Sequence, residues 1–590
     1  MTDSSPASPL PPKRAGAQRW PRIWGPRLWK LLAFIGVLFL YRLWLIGHEH
    51  MSLFFDEAQY WDWSEHLDWG YFSKPPLIAG LIWLSTALFG SGVLGVKMLV
   101  IALYPATALC MVGLARALWP TSSGVRTGMV AGALFISMPM VGLMGMFAST
   151  DAPLILCWTL AAWALWRAQV TNRLQYWVLL GIVTGIGLLG KYTMAAFALT
   201  AIWTLWGVHG PRRGLLRPGP WLAAIIAGLL LLPNLMWNAN HGFPTLHHTA
   251  ELTTQSHRSG GIVPALTFLA GQVLMLGPIA FLAGLWLVRR TPAPSVPGSN
   301  SQWGASSQMM PPSQWVQSMP MSNPPTQGAS VVEGDTQRRA PAKHSAYYLA
   351  SVSSYRFLWA LSVPLELIAV VQALYADAHV NWAAPSMVGF ALLLASRLSA
   401  PLIPLAAPRP TRWLTVVLAT NVLLTGVALQ LRDIAGPTLP SRLDALVRVR
   451  GWDEAFAQLA PTLKDPVVTG LPVLTDSRLL ITQAAYHWRH ANPQTWMWNP
   501  QGQRNDHYQM TRSLPNKIGA DVLLLTQNDN PTEITQRFAI VRKLQSVSVD
   551  VGPDRKLELH LFFLRGFLGY TQKTYLEQSG TYAPPNDDGQ

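Results

Sequence analysis

From residue 28 to residue 430 the chain alternates long uncharged apolar stretches with short polar breaks, and beyond that its pattern changes. An α-helix needs about 20 apolar residues to cross a hydrocarbon core of about 30 Å, and the stretches have that length. They predict spanning helices near 28–47, 96–118, 128–147, 152–168, 176–190, 193–208, 221–236, 262–288, 357–375, 381–396 and 412–430. Segment 76–90 is apolar but too short to span, which predicts a re-entrant or interfacial helix. Residues 291–345 are rich in Pro, Ser, Gln and Met without periodicity, and a segment that cannot bury a core is expected to be a disordered insert. Residues 437–590 carry short apolar stretches (522–526, 545–551, 557–563) and a helical pattern around 477–490. The expected fold is therefore an all-α polytopic membrane protein with about 11 spanning helices, interfacial helices and a small C-terminal α/β domain.

Composition narrows the classes further. Charged residues make up 12% of the 590, about half of the ~25% usual in soluble chains, and there are 27 Trp. Soluble, fibrous and disordered classes are excluded. A net charge of +15 would suggest nucleic acid in a soluble protein, but here the cations lie between apolar runs and no nucleic-acid module is recognisable. Both cysteines, Cys110 and Cys157, fall within apolar runs, which argues against a disulfide framework or a thiol nucleophile.

The distribution of charge then orients the chain. With the basic N-terminus (1–27) inside, the later inside loops hold Arg116, Arg126, Arg167, Arg173, Arg212, Arg213 and Arg217. The outside segments hold only Lys74, Lys191 and Arg258, with Lys97 borderline, against nine acids. Counting 76–90 as a full span would invert every later loop and destroy this asymmetry. The reading is N-terminus in, C-terminus out, with the insert cytoplasmic and both the first loop (48–95) and the 437–590 domain periplasmic.

That topology selects the polar residues worth weighing. Asp56 and Glu57 follow two Phe residues at the end of the first span, where burying a carboxylate is costly without a partner or a task. The surrounding aromatics, Tyr60 among them, also suit a plain interfacial anchor. Lys74 precedes Pro75-Pro76 at the start of the short helix, and a lysine at a helix N-terminus suits phosphate; a snorkelling lysine is the plainer alternative. Lys191, beside Tyr192, has no carboxylate next to it in sequence. Together these cations could neutralise a lipid phosphate. Asp151 could serve as a helix N-cap and also line a site. His241, His379, Asn381 and Trp382 lie in outer loops, where histidines are usually just solvated.

Two apparent motifs fail. Gly185-Ile186-Gly187-Leu188-Leu189-Gly190 ends a spanning helix instead of following a strand, so close helix packing explains it better than a dinucleotide. His48-Glu49-His50 lacks the spacing of a helical metal site.

The ordered set Asp56-Glu57, Tyr71-Phe72-Ser73-Lys74-Pro75-Pro76-Leu77, Thr150-Asp151-Ala152-Pro153-Leu154, Lys191-Tyr192 and Asn381-Trp382-Ala383-Ala384-Pro385 resembles the C-type, polyprenyl-phosphate-dependent glycosyltransferases. Within them the chain is most similar to the bacterial branch related to protein O-mannosyltransferases and the lipid A aminoarabinose transferase, over roughly residues 30–400. The resemblance implies a lipid-linked sugar donor, transfer on the periplasmic face of a bacterial inner membrane, an acidic loop residue at the site and the Lys-Pro-Pro lysine on phosphate. Ser73 stands where aminoarabinose transferases generally carry Glu, which argues against that sugar.

The expected function is inverting transfer from an undecaprenyl-phosphate sugar to a glycolipid, glycan or protein acceptor. Asp56 would be the general base, with Glu57 and Asp151 beside the acceptor, and Lys74, Lys191 and Arg258 on the donor phosphate. Tyr60, Tyr192, His241, His379, Asn381 and Trp382 would line the substrate. No metal or other cofactor is expected. The alternative from another class is a transporter or flippase of lipid-linked sugars, but such proteins place ionisable groups near the midplane, and here only Glu366 lies deep in a span.

Overall fold

The computed structural model describes residues 28–49, 51–120, 122–209, 214–254, 260–290, 340–376, 378–399 and 410–570. Arg258, the N-terminal residues 1–27 and most of the 291–345 insert lie outside the described residues. Residues 340–345, expected within the disordered insert, instead open the long helix Ala340–Tyr375.

The protein is mostly helical, and most of the apolar stretches become helices, Pro105, Pro233 and Pro364 lying inside three of them. Leu28–His48, Val93–Leu118, Asp151–Thr171, Leu174–Gly190 and Pro218–Asn240 follow the predicted spans within a few residues. Stretch 128–147, expected as one span, is two helices, Ser122–Ser137 and Pro139–Met144, because Pro139 cannot supply the amide that would continue the first. Stretch 262–288 is likewise no straight span. Ile262–Leu276 and Pro278–Arg290 meet at 92°, where Gly277 has φ +102° and a Cβ would lie 2.0 Å from Asn421 Oδ1. Stretch 381–396 begins its α-helix only at Ser386, after a 3₁₀ turn Val380–Ala383 and Pro385.

Among the described residues five helices are long and apolar enough to cross a membrane, or six if the bent pair forms one span. The other stretches are shorter or broken. Leu40, Trp203, Trp206, Leu229, Ile368 and Leu423 expose their side chains along the helix sides, as surfaces in contact with lipid do. The chain is a multi-pass membrane protein. Close approach of backbones, not dinucleotide binding, explains the glycine motif: a Cβ on Gly185 would lie 2.8 Å from Leu230 on the neighbouring helix.

Toward the C-terminus lies a five-stranded sheet in the order β2-β1-β3-β5-β4, formed by β1 (Val473–Thr475), β2 (Thr495–Met497), β3 (Val522–Thr526), β4 (Phe538–Gly552) and β5 (Arg555–Phe567). The pairs β1–β2 and β1–β3 are parallel, and β5 runs antiparallel to both β3 and β4. Strand β3 is buried on both faces, Leu523 and Leu525 in one core and Val522 and Leu524 in the other. That is why it reads as an unbroken apolar run. Helix Arg478–His487, capped by Ser477 accepting from the Leu480 amide, leaves this sheet to pack on helix Phe55–Glu65 of the first loop. Trp61 meets Tyr486 edge-on at 5.2 Å, the Gln483 amide donates to the Leu53 carbonyl at 2.9 Å, and Glu49 pairs with Arg450 at 2.7 Å.

Candidate active site

The first loop places its two adjacent carboxylates in opposite environments. Successive helical residues point about 100° apart, so one of them turns outward. Asp56 is over a third exposed and meets the Arg478 guanidinium at 3.3 Å. Glu57, expected beside it at the acceptor site, is turned inward instead. It is 1% exposed, takes Lys97 Nζ on both oxygens at 2.7 and 2.6 Å, and accepts from the Ala148 and Phe54 amides. With its acceptor sites occupied, Glu57 anchors the loop to helix Val93–Leu118.

Asp151 and Lys191 are brought together by two helix ends. Lys191, which has no carboxylate near it in sequence, lies 2.7 Å from Asp151 Oδ1, and the Asn381 amide donates to Asp151 Oδ2 at 3.0 Å. Asp151 is not an N-cap: Thr150 holds that position, and no side chain caps the helix. The short turn Val380–Ala383 thus fixes Asn381 on the carboxylate, while Trp382 packs edge-on to the exposed His379 at 5.5 Å.

Lys74 is different. Its side chain makes no ion pair or hydrogen bond among the described residues, yet it sits within electrostatic reach of Lys191, Asp56, Asp151 and Arg478. Burial, with Lys191 next in weight, brings its ammonium down to about 8. Tyr60 lies in the same field: burial first, then Asp56, pushes its phenol well above the usual range, and its hydroxyl makes no hydrogen bond among the described residues. His248 completes this group, brought down to about 4 by burial and by Lys74 and Arg478.

A second set of contacts holds the loop from the other side. Tyr192 donates to Asn234 Oδ1 at 2.6 Å, Asn234 donates to the Trp69 carbonyl at 2.7 Å, and the Trp237 indole donates to Asp68 at 2.6 Å. Tyr192 is therefore a tether within reach of the loop. His241 stacks on Trp237 at 4.2 Å and faces a separate cavity.

The structure thus brings Asp56, Lys74, Asp151, Lys191, Asn381 and Tyr60 into one neighbourhood. It keeps Glu57 apart and sets His241 in the adjoining cavity. Arg478 and His248 are members that the motif reading missed. Arg478 has no motif around it, and only the packing of helix Arg478–His487 on the first loop places it there, with its guanidinium 4.7 Å over the Phe55 ring. Among the described residues no group of three or more His, Cys, Asp or Glu is arranged to hold a metal.

Comparison with known proteins shows what the chain is similar to. Residues 73–237 match the family model for dolichyl-phosphate-mannose-protein mannosyltransferase. The chain is 26% identical to the lipid A galacturonosyltransferase of Rhizobium johnstonii over 82% of its own length and 88% of the relative's. It is 34% identical to the undecaprenyl phosphate-alpha-4-amino-4-deoxy-L-arabinose arabinosyl transferase of Erwinia tasmaniensis, over 29% of this chain and 32% of that one. The chain spans less than half of the arabinosyl transferases that it matches. In fold it is similar to ArnT from Cupriavidus metallidurans bound to undecaprenyl phosphate, with a TM-score of 0.55 at 15% identity, over 93% of this chain and all of that one.

Proposed function

We propose that this chain, a relative by sequence and by fold of the polyprenyl-phosphate-dependent membrane glycosyltransferases, moves a sugar from a polyprenyl-phosphate donor to a glycolipid acceptor of the lipid A type. The observation that carries this reading is Lys74: a largely buried cation without an ion-pair or hydrogen-bond partner among the described residues, beside a second lysine, an arginine and two carboxylates. Burying an unpaired ammonium costs several kcal/mol, and a ligand phosphate would offset that cost. The relatives' names describe transfer, which sets aside the transporter alternative.

In the proposed chemistry Lys74 and Lys191 take the donor phosphate, joined by Arg258, and stabilise the charge that develops as the lipid phosphate departs. Asp56 accepts the proton of the acceptor hydroxyl, and inversion follows from direct attack opposite the leaving phosphate. Asp151 holds Lys191 and Asn381 holds Asp151, while Tyr60, Tyr192, His379 and Trp382 line the donor side. Because fixed cations serve a monophosphate leaving group, the reading calls for no metal or cofactor. The membrane arrangement proposed with it has eleven crossings, the N-terminus inside and the site facing the periplasm of a bacterial inner membrane, with residues 437–590 as an α/β domain above it. A reporter fused at Arg213 that faced outward would overturn this topology.

The test is transfer of labelled sugar in membranes from cells making Asp56→Asn or Lys74→Ala, alongside mass spectrometry of lipid A from cells with and without the protein. Loss of transfer in both variants and loss of a sugar from lipid A support the reading. Wild-type rates in both variants would reject the assigned site.

A further inference from the structure

A cavity of about 590 Å3 lies between the first loop, the end of helix Pro218–Asn240 and residues 504–512 of the sheet region. It is not lined by Asp56, Lys74 or Lys191. Its size falls within the ~300–1,000 Å3 of small-ligand sites. The floor is aromatic: Trp63 and Tyr71 stack at 4.4 Å with their planes 5° apart, and His507 meets both edge-on. The rim is polar and exposed, with Asn240, His241 and Arg504 around the opening.

Two side-chain atoms just beneath the wall lack partners among the described residues. The Trp63 indole N–H and His507 Nδ1 are shielded from solvent and make no hydrogen bond. His507 is held neutral, because burial first and then the Arg512 charge bring its imidazole down to about 3, so it can accept or donate as a ligand hydroxyl requires. The wall carboxylates are already engaged. Asp62 takes the Tyr508 hydroxyl at 2.9 Å and Arg512 at 3.0 Å, and Asp68 takes the Trp237 and Trp69 N–H groups. An aromatic floor and a rim of amide, imidazole and guanidinium suit a hydroxyl-rich saccharide.

The cavity is continuous with the loop that carries the candidate site, since the Tyr71 amide donates to the Lys74 carbonyl at 3.1 Å and the Tyr71 carbonyl accepts from Thr245 at 2.8 Å. We propose that this cavity holds the saccharide headgroup of the acceptor, gripped between the first loop and residues 504–512, while the donor occupies the Lys74 side. This rests on the transferase reading for the identity of the ligand.

The test titrates the detergent-purified full chain with deacylated lipid A saccharide, read by isothermal titration calorimetry, in parallel with a transfer assay. Arg504→Ala and Thr511→Trp alter exposed rim positions. Each is expected to raise the saccharide Kd and the acceptor KM about tenfold, Arg504→Ala through loss of a charge-assisted hydrogen bond and Thr511→Trp by filling the rim, with the donor KM retained. Wild-type transfer with saccharide binding that is absent, or indifferent to both variants, overturns the cavity assignment and leaves the transferase reading intact. Saccharide binding weakened by both variants in a protein that transfers no sugar supports the cavity and rejects the transferase reading.

Discussion

Arg478 lies 3.3 Å from Asp56, although one belongs to a helix leading from the sheet and the other to the first loop. The arginine also donates to Gln59 at 3.2 Å, so it orients two neighbouring turns of helix Phe55–Glu65. If Asp56 is the base, its partner sets where the carboxylate points. Arg478→Gln is expected to lower transfer about tenfold or more, and Arg478→Lys to restore part of it, because a lysine keeps the charge and loses the planar fork. Labelled-sugar transfer in membranes, measured with donor and acceptor varied separately, checks this. Unchanged kinetics in Arg478→Gln would remove the arginine from the site.

Lys74 makes a prediction with opposite signs for activity and stability. Its ammonium titrates at about 8, below the usual lysine range, since burial and Lys191 disfavour the charge. The unfolded chain thus holds this proton more tightly than the folded one. Stability from this group is lowest below pH 8, recovers as pH rises from about 8 toward the unfolded value, and is level above that. In the proposed chemistry donor binding needs the charged form, so transfer should decline as pH rises through about 8. Lys74→Met is expected to abolish transfer and raise the unfolding temperature in detergent. A Lys74→Met protein that is inactive and less stable would show the lysine to be structural.

Glu57 and Lys97 form a buried pair whose members are 1% and 0% exposed. Removing one partner leaves an uncompensated charge, at a cost of about 3–5 kcal/mol. Glu57→Gln or Lys97→Met alone is expected to reduce folded yield and unfolding temperature strongly. The double variant should recover a large part of both, since no lone charge remains. Thermal unfolding of the four proteins as a double-mutant cycle measures the coupling.

What the sequence could reveal depended on whether the signal was local. Strand β3 matches its predicted stretch 522–526 because burial on both faces writes a continuous apolar run. The bend at Gly277-Pro278 was hidden, because a hydropathy pattern measures apolar length and is blind to direction. The cations Lys74 and Lys191 stood out, since positive charge is scarce in outer loops. Which of Asp56 and Glu57 faces the site did not, because a one-residue step around a helix decides it and only packing fixes the rotation. Arg478 left no local trace; its partner is supplied by tertiary folding.

Asp151 holds Lys191 at 2.7 Å and is itself held by Asn381 at 3.0 Å, so the lysine in this structure is paired, unlike Lys74. A lysine shared between a carboxylate and a lipid phosphate grips the phosphate less tightly than an unshared one, which helps release of the spent carrier lipid. Asp151→Asn removes the competing charge and leaves an isosteric amide. Free polyprenyl phosphate should then inhibit more strongly, with its inhibition constant lowered about tenfold (one charge–charge interaction near a protein surface is worth a few kcal/mol before solvent screening). Turnover should fall as product release slows, while the donor KM falls or holds. Inhibition titrations with polyprenyl phosphate on wild type, Asp151→Asn and Asn381→Ala decide it. Asn381→Ala keeps the carboxylate, so it should leave the inhibition constant near wild type. A weaker grip in Asp151→Asn would mean that the carboxylate positions Lys191 on the phosphate instead of competing for it.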